Sequence, residues 1–351
     1  MTDWINFPNA TVAARPHAPA DEMRAVRIWL WIVAAMVFAM VVVGGATRLT
    51  ESGLSITEWK PVTGALPPTN ETAWAVEFEK YKQIPQYREL FPDMDLARFK
   101  VIYAWEWGHR LLGRLIGLAF ALPLAWFWLR RRLGGELTLK LVGVLALGAL
   151  QGVVGWWMVA SGLVHRVEVA QERLAIHLLL ASLTLAALVW IATGLKPRAD
   201  ERAPDGLKRL ASIFIALLLA QIGFGALVAG LRAGLTFNTW PLMDGKFLPA
   251  AGDLLAMAPW WSNFVDNVLT VQFQHRMAAY LVAALAIVVA FAARTERAAG
   301  RSIALALVVL SQVVLGIVTL LLRVPLWAGL AHQALAMVVL WLAVASRRKM
   351  G

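Results

Sequence analysis

No cysteine occurs among the 351 residues. That excludes disulfides, thiolate metal ligands and thioether attachment of a cofactor through C-x-x-C-H, leaving histidine, methionine and carboxylates as the available metal ligands. Charge is also scarce, at 16% of residues. Residues 1–26 are polar and lack both the apolar centre and the small-residue cleavage site of a removable signal peptide. The first hydrophobic segment is therefore expected to act as an uncleaved signal anchor.

What the chain does have is apolar length. With 60% hydrophobic residues, 17 tryptophans and a mean hydropathy of +0.64, it carries more apolar surface than a water-soluble domain of this size buries. Eight stretches approach the roughly 20 residues that a bilayer-spanning helix needs, at about 28–46, 107–129, 137–160, 175–194, 209–230, 268–293, 302–322 and 327–345. The expected class is an all-α integral membrane protein. Basic residues gather in five clusters: Arg15, Arg24 and Arg27; Arg130, Arg131 and Arg132; Lys196, Arg198, Arg202, Lys208 and Arg209; Arg294, Arg297 and Arg301; Arg347, Arg348 and Lys349. With eight spans all five share one side, which the positive-inside rule makes cytoplasmic, so both termini are expected there. Topology thus accounts for the net charge of +11, and the basicity does not point to a nucleic-acid partner.

The chain repeats itself. Gly53-Leu54-Ser55-Ile56-Thr57-Glu58-Trp59 after the first span matches Gly234-Leu235-Thr236-Phe237-Asn238-Thr239-Trp240 after the fifth, and in both a Gly (Gly64, Gly245) and a Pro (Pro68, Pro249) follow at the same distances. The second span of each half carries His109-Arg110 or His275-Arg276, the third a Gln four residues before a Gly (Gln151 and Gly155, Gln312 and Gly316), and the fourth His177 or His332. Four helices per copy is an even number, so the two copies insert in the same orientation. The expectation is two parallel four-helix bundles related by a pseudo-twofold axis along the membrane normal, with residues 28–194 and 209–345 as the halves, 195–208 as a cytoplasmic linker, and 1–27 and 346–351 as cytoplasmic tails. The outer segments differ, because Gly53 and His109 are 56 positions apart but Gly234 and His275 only 41. The longer one is rich in charge and aromatics, including Glu77, Glu79, Lys80, Tyr81, Lys82, Tyr87, Arg88, Asp93 and Asp95.

An ionisable residue inside hydrocarbon is a functional candidate. One histidine on such a helix would more often be an interhelical hydrogen-bonding residue, but four at matched depth form a pattern. Imidazoles on the second and fourth helices of each bundle, His109 with His177 and His275 with His332, can grip a flat macrocycle from its two faces, as paired axial ligands of two haems. Gly108, Gly113 and Gly117 in one half and Ala278 and Ala279 in the other leave room beside them. A zinc or copper site would need three or four converging ligands, whereas these come as two separated pairs. His165 in an outer loop and His17 in the N-terminal tail have no such partners. Arg110 and Arg276 could each meet a propionate with two hydrogen bonds, or could equally snorkel to lipid headgroups. Glu106 stands three residues before His109 and Gln272 three before His275, so one half alone has an acid/base group on the ligand face. Glu106 could also be a carboxylate favoured by a helix N-terminus.

The run Glu106-Trp107-Gly108-His109-Arg110, the segment from Gly44-Gly45-Ala46-Thr47-Arg48 through Trp59-Lys60-Pro61, Gln274-His275-Arg276 and Ala331-His332-Gln333 resemble the haem A synthase family, in the long form of alphaproteobacteria and mitochondria. The resemblance spans about residues 28–345. It implies oxidation of the methyl at porphyrin position 8 of haem O to the formyl of haem A, for a-type terminal oxidases. It implies haem b on His275 and His332, with Arg276 near it. Substrate haem O would sit on His109 and His177 near Arg110, with Glu106 at the reacting methyl. It further implies the bacterial inner membrane, haem sites toward the periplasm, a haem O-making farnesyltransferase and oxidase assembly factors as partners, an electron acceptor, and a possible homo-oligomer. Some members carry a cysteine pair in an outer loop, so any thiol-based step is absent here. The competing reading is a bis-histidine dihaem electron-transfer cytochrome, for example a quinol-linked one. A transporter is a third, although broken helices with mid-membrane charge are not evident.

Overall fold

A computed structural model describes residues 20–195 and 202–351 of the chain. The expected roles of Arg15, His17, Lys196 and Arg198 fall outside these residues. In chain order the helices are α1 (Ala20–Leu49), α2 (Glu71–Tyr81), α3 (Pro85–Leu90), α4 (Leu96–Leu129), α5 (Gly135–Ala160), α6 (Gln171–Gly194), α7 (Asp205–Gly230), α8 (Ala251–Leu254), α9 (Val268–Ala292), α10 (Ala299–Leu321) and α11 (Leu326–Lys349). Eight of them, α1, α4, α5, α6, α7, α9, α10 and α11, are long and apolar enough to cross a membrane. The chain is an all-helical, multi-pass membrane protein.

The expected spans recur, but α1 begins at Ala20 rather than 28, inside the expected tail, and the second span differs more. The second was expected from residue 107, but α4 begins at Leu96, where the Asp95 side chain accepts from the Arg98 N–H and caps it. At 1.5 Å per residue its 34 residues extend about 51 Å, well beyond a roughly 30 Å hydrocarbon core. One face of the extra turns packs against protein. Phe99, Ile102 and Tyr103 are buried against Phe78 and Tyr81 of α2, with Trp74 edge-on to Tyr103 at 5.0 Å. The charged and aromatic outer segment thus folds as a cap on α4, and Lys60 and Lys80 both reach Glu58 and Glu77.

Within the first half α1 packs on α4 and α6, and α5 on α4 and α6; within the second α7 packs on α9 and α11, and α10 on α9 and α11. The same neighbours therefore recur in both copies. Between the halves α6 lies against α7, α1 against α11, and α6 against α11. A single buried cluster runs through all eight long helices, from Val26, Leu30 and Val33 through Leu185, Leu188 and Phe214 to Met337 and Leu340. Across the halves, Trp31 stacks on Trp341 at 5.1 Å, and the Gln333 amide donates to the Val41 carbonyl at 2.9 Å.

Candidate haem-ligating centres

Each of the four intramembrane histidines leans on a glycine of a neighbouring helix. A Cβ built on Gly44 would lie 3.0 Å from Cε1 of His109, and on Gly225 3.1 Å from that of His275; the values for Gly155 with His177 and Gly316 with His332 are 2.9 and 2.8 Å. Those four glycines each stand five residues before the C-terminal end of their own helix, α1, α7, α5 or α10. The four rings therefore sit at one depth, about 7.5 Å in from those ends at 1.5 Å per residue. In every case Nδ1 is the nitrogen nearer the glycine and Nε2 the farther. All four rings are half-buried, and within each half the first ring lies within electrostatic range of the second.

Four residues before three of these glycines is a glutamine whose Nε2 donates to the backbone carbonyl of the facing histidine. Gln151 does so to His177 at 3.0 Å, Gln221 to His275 at 3.1 Å and Gln312 to His332 at 2.9 Å. Gln221 and Gln312 also lie 3.1 and 3.2 Å from Nδ1 of their rings. The sequence reading picked out the pairs on α5 and α10 but not Gln221 with Gly225, although the Gln-x-x-x-Gly spacing on α7 is the same. At the fourth position, on α1, stands Met40.

Glu106 and Gln272 occupy matching frames. Glu106 is buried; its Oε2 accepts from the Ser55 hydroxyl at 2.7 Å and the Ile56 N–H at 2.8 Å, and its Oε1 from Nε and Nη2 of Arg110 at 3.1 and 2.6 Å. Arg110 spends its other contacts on the carbonyls of Ile56 and Glu58. In the second half Gln272 accepts from Arg276 at 3.1 Å and donates to the carbonyls of Ala233 and Phe237, while Arg276 also donates to Phe237 and Leu242. Ile56 and Phe237 are equivalent in the repeat. The carboxyl group takes donors from its loop where the amide gives donors to its own. Arg110 and Arg276 thus hydrogen-bond the outer loops to α4 and α9. His165 is exposed in the loop between α5 and α6.

The donor set fits two iron porphyrins. The Nδ1 atoms of His109 and His177 are enclosed and have no hydrogen-bond partner, and each ring rests against backbone that a single methyl would block. The Oε1 atoms of Gln151, Gln221 and Gln312 are likewise buried without a partner. Each is an acceptor beside an imidazole whose second nitrogen donates once the first binds metal.

Residues 27–344 match the family described as cytochrome oxidase assembly protein, COX15-CtaA. The chain is 63% identical over 339 residues to the haem A synthase of Beijerinckia indica subsp. indica, covering 95% of this chain and 94% of that protein. It is 58% identical to the haem A synthase of a Methylobacterium species over 353 residues, with 99% and 98% covered, and 57% identical to that of Rhodopseudomonas palustris over 330 residues, with 93% and 91% covered. With two histidine pairs in matching frames and near-complete coverage of these relatives, the chain belongs to the cytochrome oxidase assembly protein family that includes the haem A synthases.

Proposed function

We propose that this protein is a haem A synthase that oxidises the position-8 methyl of haem O to a formyl group. The observation that carries this reading is the unequal pair Glu106 and Gln272 in otherwise equivalent frames. Two electron-transfer haems would need no such difference, whereas an oxidation that releases protons needs a carboxyl group at one centre only. His109 and His177 bind the iron of the substrate, haem O, in the half that carries Glu106. His275 and His332 hold a resident haem b, with Arg276 fixing the loop beside it. The halves are two parallel bundles about an axis along the membrane normal, both termini cytoplasmic and the centres toward the periplasm of a bacterial inner membrane.

Written with water as oxygen donor, conversion of CH3 to CHO releases four protons and four electrons, by way of the alcohol and a gem-diol that loses water. Bound haem b supplies a one-electron relay toward an acceptor in the membrane. Arg110, Ser55 and the Ile56 N–H hold Glu106 in one orientation. From there its carboxyl group stabilises positive charge developing at the methyl carbon and takes up the released protons. Upstream, a farnesyltransferase making haem O is the expected supplier; downstream, oxidase assembly factors receive the product.

The test is mass spectrometry of haems extracted from membranes with and without the chain. Haem A appears only with it, and the purified protein holds haem b regardless of haem O supply. Two haem b groups that ignore haem O supply would overturn the reading in favour of an electron-transfer cytochrome.

A further inference from the structure

Three of the four ligand histidines are braced by an amide and one is not. Gln151, Gln221 and Gln312 each donate to the backbone carbonyl of the histidine opposite, whereas the residue at the same place before Gly44 is Met40. Its methyl instead lies against Gly113, 3.1 Å from where a Cβ would be, one turn beyond His109 on α4. The Gln221 and Gln312 amides lie within 3.2 Å of Nδ1 of their rings and the Gln151 amide 3.4 Å from Nε2 of His177, whereas Nδ1 of His109 is enclosed without a partner. Three rings therefore have an amide beside them, and His109 has none.

An outer-shell acceptor for the free ring N–H fixes the orientation of a ligating imidazole and raises its basicity, a role open to the unpartnered Oε1 of each glutamine, and losing one typically costs about 10–100-fold in metal affinity. A thioether is flexible and gives no such hydrogen bond. From this we infer that Met40 is a positioning residue that makes the first-half centre an exchanging one. By withholding the amide it leaves the His109 ring free to turn, so that a macrocycle enters and leaves there, while Gln221 and Gln312 retain theirs. This rests on the reading that the first half takes the substrate haem, and it adds what sets the residence time.

The experiment uses the full chain, purified with its haems and mixed with excess apomyoglobin as haem scavenger. Release of each haem is followed by absorbance and mass spectrometry, and the ferric low-spin electron paramagnetic resonance lines report ring orientation. Wild type should lose haem O and haem A faster than haem b. M40Q should slow loss of the first-half haem about 10-fold or more and move its resonance line toward that of the second-half haem. Q221M should speed haem b loss by a similar factor. M40L, which removes sulfur without adding an amide, should release as wild type does.

If M40Q and Q221M both release at wild-type rates, the inference is overturned. It also falls if M40L sheds the first-half haem, because Met40 would then be an iron ligand. Should M40Q fail to accumulate, unchanged haem b loss in Q221M decides against it. These failures are distinct from that of the functional reading, which fails if haem O supply never changes what the first half holds.

Discussion

At the scale of single residues, the proposed chemistry turns on carboxyl against amide in one geometric setting. Gln272 shows what an amide does there, donating to two loop carbonyls. E106Q brings an amide NH2 to the Ile56 N–H and Ser55, which already donate. The expected result is a chain that still binds its haems but converts haem O about 100-fold more slowly or worse, measured as the haem A to haem O ratio in membranes. The glycines make a second expectation. A methyl at Gly316 would sit 2.8 Å from the His332 ring, so G316A should push that ring aside. Overpacking of this kind costs about 1–3 kcal/mol, seen as lowered thermal midpoint and reduced haem b per polypeptide. The four histidines and Glu106 were legible in the sequence because polar groups stand out in apolar helices. Gln221 and Met40 were not. Their helices open each half and carry no histidine, so the Gln-x-x-x-Gly spacing on α7 had nothing beside it to give it meaning, and at position 40 the pattern is carried by a methionine that looks like any apolar lining.

At the scale of elements, the outer half of α4 and its cap show how hydropathy misplaces an end. Residues 96–106 form three turns of helix whose apolar face meets Phe78 and Tyr81, so a window tuned to lipid passes over them. The existence and order of the eight long helices were readable from apolar runs alone; the cap was not, because its core is made of aromatics scattered among charges. Four hydrogen bonds from two arginines pin it, from Arg110 to the Ile56 and Glu58 carbonyls and from Arg114 to those of Lys60 and Pro61. Hydrogen bonds from Lys60 and Lys80 hold the Glu58 carboxyl below the usual carboxylate range. A lowered folded value means that this contribution is present above the ordinary glutamate pKa of about 4.3 and fades as pH falls through the folded one. The protection factors at residues 56–61, corrected for the pH dependence of intrinsic amide exchange, should therefore fall as pH drops below about 4.3. E58Q should show the lower protection already at neutral pH, and the effect should be small because the Glu58 side chain is 43% exposed.

At the scale of the whole molecule, the halves are stitched together at one end by charge. Glu168, in the loop between α5 and α6, pairs with Arg48 of α1 at 2.5 Å and with Arg232 just after α7, and Arg232 also pairs with Glu51. Arg48 further donates to the Ala229 and Gly230 carbonyls, and Gln171 reaches Asp266. Removing the central anion leaves two guanidinium groups facing each other. E168Q is expected to lower stability by about 1–3 kcal/mol, the range for hydrogen bonds to charged groups, as a reduced thermal midpoint in detergent that high salt partly restores. On α11, Q333L should act at the other seam by removing the donor to Val41, at a cost of about 1 kcal/mol.

Glu51 and Arg232 hold equivalent places in the two copies, each two residues before the matching Gly53 or Gly234, and both have left-handed backbone, with φ of 57° and 49°. In the chain as it folds they meet as opposite charges. If two molecules instead paired first half to first half, a glutamate would confront a glutamate, and the other mismatched pairing would set arginine against arginine. One exchanged letter in a duplicated segment is thus a polarity key: it admits the sister half and turns away a twin.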